Sequence, residues 1–165
     1  MKKILLLSDT HSHIDEQILK YVKKADEVWH AGDIGKIEVA DTIKELKPFR
    51  AVYGNIDDKT IRSEYPLDLK FTIDGVSVWI THIGGYPNRY NFRIAEEIKQ
   101  NPPKLFISGH SHILKVQYDQ KLNLLHMNPG AVGKHGFHKV RTMLRFEIDN
   151  SEIKNLEVIE LETRN

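Results

Sequence analysis

The sequence predicts a mixed α/β (α+β) fold in which two mixed β-sheets pack face to face, flanked by helices. Three observations carry this. The first half alternates short apolar runs with amphipathic stretches in the order β-α-β-α-β, which requires parallel pairing with right-handed crossovers. The second half holds apolar runs with little helix between them, which points to antiparallel pairing. Five of the runs stop abruptly at an Asp, Asn or His, as strands do when they deliver polar side chains to one edge of a sheet.

Taken in order, residues 3–8 form the first strand, and Ser12 with Asp15 makes a capping pair for a helix reaching Lys24. Ile14, Ile18, Leu19 and Val22 share one face of that helix. Residues 27–31 form the second strand, with Gly32-Asp33-Ile34-Gly35 as its loop. A second helix spans residues 37–47 and is closed by Pro48. The third strand, residues 49–53, runs into Gly54-Asn55-Ile56-Asp57-Asp58. Asp74-Gly75 is a hairpin signal between strands at 67–73 and 76–81. A loop at 82–87 leads to a third helix over 89–100, which stops before Pro102-Pro103. Strands follow at 105–108, 114–118, 122–127, 142–148 and 156–161, with tight turns at Asp119-Gln120 and Asp149-Asn150. The total expected is three helices and ten strands.

At 165 residues the chain is expected to form one domain, residues 1–165, able to bury a real core. A net charge of +1 supplies no global field that would favour nucleic acid or a membrane. There is no cysteine, which excludes disulfides and thiolate metal sites and fits a reducing compartment. The aliphatic run after Met1-Lys2-Lys3 is cut by Ser8-Asp9, too early for a signal peptide, and no stretch approaches a spanning helix. A cytoplasmic protein is expected.

The residues at the run ends are Asp9, His11, Asp33, Asn55, His82, His110 and His112. In an extended segment residues two apart point the same way, so Asp9/His11 and His110/His112 would each converge if strand geometry continued past the run. Seven candidate ligands exceed the need of one ion. Two ions sharing a carboxylate use them naturally, with Asp33 as the candidate bridge. Imidazole, carboxylate and amide together suit manganese, iron, zinc, cobalt or nickel and fit calcium or magnesium poorly. Two divalent cations outweigh two carboxylates and a hydroxide, so the centre should attract an anion such as phosphate. Paired metals about 3.5–4 Å apart clamp an in-line displacement and acidify water.

Asp9-Thr10-His11, Gly32-Asp33, Gly54-Asn55, Thr81-His82 and Gly109-His110-Ser111-His112 resemble, in order, the motifs of the calcineurin-like metallophosphoesterases. The short chain, the Gly-His-Ser-His motif and the following Asn128-Pro129-Gly130 resemble the family's small branch, which holds phosphodiesterases and the retromer scaffold subunit. The resemblance implies an αββα sandwich with a dinuclear centre. Asp9, His11, Asp33 and His112 would hold one ion, and Asp33, Asn55, His82 and His110 the other. Manganese is the first choice, with nickel, zinc, iron or cobalt as alternatives. A hydroxide bridging the ions would attack phosphorus in line, with Asp33, Asn55 and His112 as catalytic residues. The expected substrate is a small phosphate ester, in particular a phosphodiester.

Two positions depart from the family pattern. Where relatives carry His or Cys after the Asn of Gly-Asn, this chain has Ile56, which cannot protonate a leaving group. Where many small-branch members carry a second His two positions after the His82 equivalent, it has Gly84. A hydrolase lacking a dedicated acid should favour good leaving groups such as aryl oxides.

The remaining polar residues read less sharply. His30 and His126 sit in apolar runs and read as core, Trp79 as a buried strand residue. His13 is close enough to the first motif to touch substrate. Lys134, His135 and His138 lie in a glycine-bearing loop that is either solvated or in contact with an anion. Asp57 and Asp58 read as turn residues, Asp57 with a second option of orienting a ligand. Tyr86, Arg89, Tyr90 and Phe92 cluster as a substrate wall, a homodimer patch or helix packing. The rival to an enzyme is a non-catalytic interaction scaffold of the same fold. A nuclease is disfavoured because no basic, aromatic-laced groove is evident.

Overall fold

The computed structural model describes residues 1–163. Its elements are β1 (Lys2–Leu7), α1 (Glu16–Lys24), β2 (Glu27–His30), α2 (Ile37–Leu46), β3 (Phe49–Ala51), α3 (Lys59–Glu64), β4 (Asp68–Ile73), β5 (Val76–Thr81), β6 (Gly85–Tyr86), β7 (Arg89–Tyr90), α4 (Phe92–Gln100), β8 (Leu105–Ile107), β9 (Leu114–Asp119), β10 (Leu124–Pro129), β11 (Val140–Asp149) and β12 (Glu152–Thr163). One sheet has the order β12-β11-β1-β2-β3 and the other β4-β5-β8-β10-β9; β6 and β7 form a small ribbon.

The predicted sandwich is present, and the strand sequences show why. Ile4 and Leu6 of β1 face Val78 and Ile80 of β5, Leu105 and Ile107 of β8 and Met127 of β10 between the sheets. The alternate residues Leu5 and Leu7 pack outward against Ile18 and Val22 of α1 and Ile43 of α2. On the far side Trp79 and Phe106 pack against Ile94 and Ile98 of α4. Strands covered on both faces read as continuous apolar runs rather than alternating ones. No helix among the described residues is long and apolar enough to cross a membrane.

Four local expectations are corrected. The first helix is capped by Asp15 alone, whose carboxylate accepts from the Ile18 N–H; Ser12 Oγ instead accepts from the Lys36 N–H at 3.0 Å. A short fourth helix, α3, follows Asn55, because Asp58 caps it by accepting from Ile61 N–H. The third helix starts at Phe92 rather than Arg89: Arg89 and Tyr90 pair with Tyr86 and Gly85 across a turn at Asn88, and Asn91 is the cap. Finally, the second half is not simply antiparallel. β5 and β8 run parallel because α4 crosses between them, and β10 runs parallel to β8 because β9 first passes to the sheet edge, while β11 inserts antiparallel beside β1 in the first sheet.

Candidate metal centre

All seven run-end residues lie just beyond strand ends, on loops that follow β1, β2, β3, β5 and β8. They converge, but not by continued strand geometry. Asp9, His11, Asp33, His110 and His112 have φ of 55°, 44°, 58°, 71° and 62°. These left-handed turns, tolerated best by Asp, Asn, His and Gly, swing the side chains inward. His110 and His112 part company, while Asp9 and His11 stay together. Asp9, His11 and His112 offer ligand atoms within 4.8 Å of one another, and Asp33, His82 and His110 do the same as a second set. Asp33 Oδ2 lies between the sets, 3.4 Å from His11 Nε2 and 3.2 Å from His82 Nε2. Asp9 Oδ1 is 3.2 Å from His112 Nε2. Asn55 Oδ1 is 3.1 Å from His110 Nδ1, which places Asn55 with the second set.

Backbone contacts orient these groups. His82 Nδ1 donates to the Ala31 carbonyl at 2.7 Å, which leaves Nε2 as the lone-pair nitrogen facing Asp33. Asp9 Oδ2 accepts from Ser8 Oγ at 2.6 Å and from the His110 N–H at 3.2 Å; Asp33 Oδ1 accepts from the Ile56 N–H at 3.1 Å. Gly32, at φ +102°, lies against His82, and a Cβ there would come within 2.5 Å of its Nδ1. The buried Asp57 carboxylate accepts from the N–H groups of Ile34 (3.2 Å), Gly35 (2.8 Å) and Gly54 (2.7 Å). It thereby ties the loop carrying Asp33 to the loop carrying Asn55.

What remains unsatisfied defines the chemistry. Asp9 Oδ1, His11 Nε2 and His82 Nε2 are buried with no hydrogen-bond partner. Orphaned buried polar atoms are costly unless something else meets them, and a cation at each set would do so. The carboxylate, imidazole and amide donors fit divalent transition ions.

The electrostatics agree. Burial works to raise the Asp9 and Asp33 carboxyls, but the imidazoles of His11, His112 and His82 outweigh it and hold both well below the usual range. His11 is pushed up to about 9, first by its contact with Asp33 and then by Asp9. At His82 the burial penalty is overcome by Asp33, which raises it. His110 is lowered by burial and by the charge on His82.

A metal-free centre at pH 7 therefore carries a proton on His11 that a cation must displace. The contribution of His11 to metal-free stability is full below its ordinary value of 6.5 and is lost as pH rises through about 9. Manganese titrations in buffers of different ionisation enthalpy should show proton release of roughly one or more at pH 7, fading toward pH 9. Equal heats in all buffers at pH 7 would contradict the assignment.

The other histidines sort clearly. His30 is fully buried and pushed down to about 3 by burial. Its Nδ1 accepts from Gly32 N–H, and its Nε2 faces Thr10 Oγ1, which itself donates to the Ile34 carbonyl. It braces the β1 and β2 loops as a neutral ring. His126 is a core ring tilted on Phe106, lowered to about 4 by burial. His13 is turned toward Asp15, 2.7 Å away, and not into either set. Lys134 is exposed and takes part in neither set. Its loop neighbours, by contrast, do reach the centre. His135 stacks on His11 with ring centroids 4.8 Å apart, and His138 sits edge-on to His112 at 5.2 Å.

Two residues with clear structural roles carried no sequence signal for them. Arg141 is buried near the start of β11, donating to the Val132 carbonyl and to Asp15. Asn128 donates to the Gly109 carbonyl and so props the loop that bears His110.

A sandwich with two cation-ready sets at the joined strand ends defines a metal-dependent phosphoesterase fold. The chain belongs to the calcineurin-like phosphoesterase superfamily, whose domain model matches residues 1–151. It is 25% identical over 132 residues to a probable metallophosphoesterase of Methanocaldococcus jannaschii. That match covers 76% of this chain and 66% of the relative, just under two thirds of its length. Among solved structures it is similar to Vps29 of Chaetomium thermophilum, with a TM-score of 0.77, 13% identity and 100% of both chains covered. It is also similar to an archaeal protein described as a novel phosphodiesterase, with a TM-score of 0.71, 23% identity and 96% and 99% of the two chains covered.

Proposed function

We propose that the chain acts as one metallophosphoesterase domain, a dinuclear metal-dependent phosphodiesterase that hydrolyses small phosphate esters by in-line attack at phosphorus. The observation that supports this most is the meeting of two three-residue ligand sets at Asp33. The archaeal phosphodiesterase of the same fold supports the diester preference. Asp9, His11, Asp33 and His112 would hold one ion, and Asp33, Asn55, His82 and His110 the other. Manganese is the first candidate, ahead of nickel, zinc, iron or cobalt. When bound, the ions supply Lewis acidity and an acidified water. The chain's own part is to hold the ligands in their lone-pair forms, through Ala31 for His82 and through Ser8 for Asp9. In this reading Asn55 and His112, together with Asp33, would also act on the phosphoryl group. Metal analysis of the purified protein, followed by turnover of an aryl phosphodiester with added manganese, tests the reading. A protein that holds no metal and turns over no ester would refute it.

Ile56 bears on the leaving group. Its side chain is 46% exposed beside Asn55 and offers no proton. A missing general acid is worth roughly 10²–10⁴-fold for poor leaving groups. The rate should fall steeply from p-nitrophenyl to phenyl to alkyl leaving groups, and Ile56→His should raise the rate for phenyl esters about tenfold or more. A rate insensitive to leaving-group basicity would contradict this.

The second reading, a docking scaffold, is favoured by the likeness to Vps29 and by the same Ile56. The complete ligand set weighs against it.

A further inference from the structure

A cavity of about 430 Å³ opens beside the metal centre and shares Asn55 and His82 with it. That is within the usual size of a small-ligand site. Its other walls include Tyr53, Arg62, Ile83 and Phe92. Phe92, the first residue of α4, is 91% exposed, and Ile83 is 38% exposed. An aromatic ring so exposed has no packing role in the fold, and helix packing is carried by Ile94 and Ile98 instead. Arg62 lies over the Tyr53 ring at 4.6 Å and donates to the Asp57 and Asn55 carbonyls. Among the described residues it pairs with no carboxylate, whereas neighbouring Arg93 is held by Asp68 in two parallel bonds. The cavity therefore joins apolar and aromatic surface to one uncompensated positive charge. By contrast, the cavity of about 390 Å³ beside Lys3, Tyr21 and Arg145 shares no residue with the centre.

We infer that this cavity binds the organic arm that stays on phosphorus, and that it selects an aromatic arm over a small alkyl one. The inference rests on the phosphodiesterase reading and deepens it. In an in-line displacement the leaving oxygen departs opposite the entering one, so the retained substituent lies to the side. The cavity adjoins the centre at Asn55 and His82, which offers that substituent a place. In the reaction, water adds to phosphorus and the bond to the leaving aryl oxide breaks. The aryl oxide departs with its electron pair, the water proton passes to solvent, and an aryl phosphate monoester remains. Apolar contact with Phe92 and Ile83 and stacking against the Arg62 guanidinium would hold the retained ring.

The test compares phenyl p-nitrophenyl phosphate with methyl p-nitrophenyl phosphate on the manganese-loaded protein. Both release the same p-nitrophenolate. After normalising to the uncatalysed rates, kcat/KM should favour the phenyl diester by roughly tenfold or more. Phe92→Ala should bring the ratio close to one, while Tyr118→Ala, an exposed aromatic on β9, should leave it unchanged. A second readout does not depend on turnover: diphenyl phosphate should bind at least about tenfold more tightly than dimethyl phosphate, followed by NMR of the aromatic signals. A wild-type ratio near one, a ratio unmoved by Phe92→Ala, or equal binding of the two phosphates overturns the inference. If neither diester turns over, the phosphodiesterase reading fails, and the binding comparison still decides the cavity.

Discussion

Asp33→Asn should lower turnover of an aryl phosphodiester by at least about a thousandfold and reduce metal content at both positions. The substitution keeps the shape of the side chain but removes its negative charge. That charge faces His11 at 3.4 Å and His82 at 3.2 Å, one from each ligand set. Losing a single well-placed electrostatic group at a reaction centre costs roughly 10²–10³-fold, and in the proposed centre Asp33 would serve two ions. Elemental analysis of the purified variant should fall well below that of the wild type, while circular dichroism shows the fold intact. Wild-type activity with half or more of the metal retained would sink the shared-ligand assignment.

Asp57→Ala should be the most destabilising polar substitution, at about 3–5 kcal/mol. Its carboxylate accepts from three backbone N–H groups, on Ile34, Gly35 and Gly54. A bond to a charged acceptor contributes about 1.5–3 kcal/mol, and orphaned buried donors add their desolvation cost. Asp57→Asn retains one oxygen, which suffices for Ile34 and Gly54 if the amide turns toward them, so it should lose about half as much. Urea unfolding of the metal-free proteins measures both. Activity should also drop some 10–100-fold in the alanine variant, because the loops carrying Asp33 and Asn55 lose their tie. Equal stability of the wild type and Asp57→Ala would show that water replaces the carboxylate.

The layers and the rim were legible because the same apolar runs encode both. The strands that carry the rim residues are mostly buried on two faces, so each reads as a block, and the block's last residue marks the edge. Partnering between distant strands was less legible. Nothing in residues 140–149 distinguishes a strand that joins β1 from one that joins β10, since both neighbours offer the same aliphatic surface. The separation of His110 from His112 was hidden for a different reason: a two-residue spacing fixes direction only in extended backbone, and among left-handed residues it does not, since Asp9 and His11 stay together while His110 and His112 part. His135 and His138 come to the centre through a loop whose path depends on long-range packing. The glycines at 133 and 136, against Thr10 and His112, were the available hint. Arg141 precedes the apolar run at 142–148 and gives no hint of burial until Asp15 and the Val132 carbonyl are seen beside it.

The left-handed turns at the rim bear on the mutational history of such chains. Backbone held in that region costs on the order of 1–3 kcal/mol per residue, and five of the seven candidate ligands sit there. Glycine would relax each of those positions and asparagine would ease some, while loosening the grip on cations. Random substitution therefore meets a downhill path from a strained, ion-dependent catalyst toward a sturdier, inert lineage that keeps the sandwich. A fold of this kind can lose its chemistry without losing its shape.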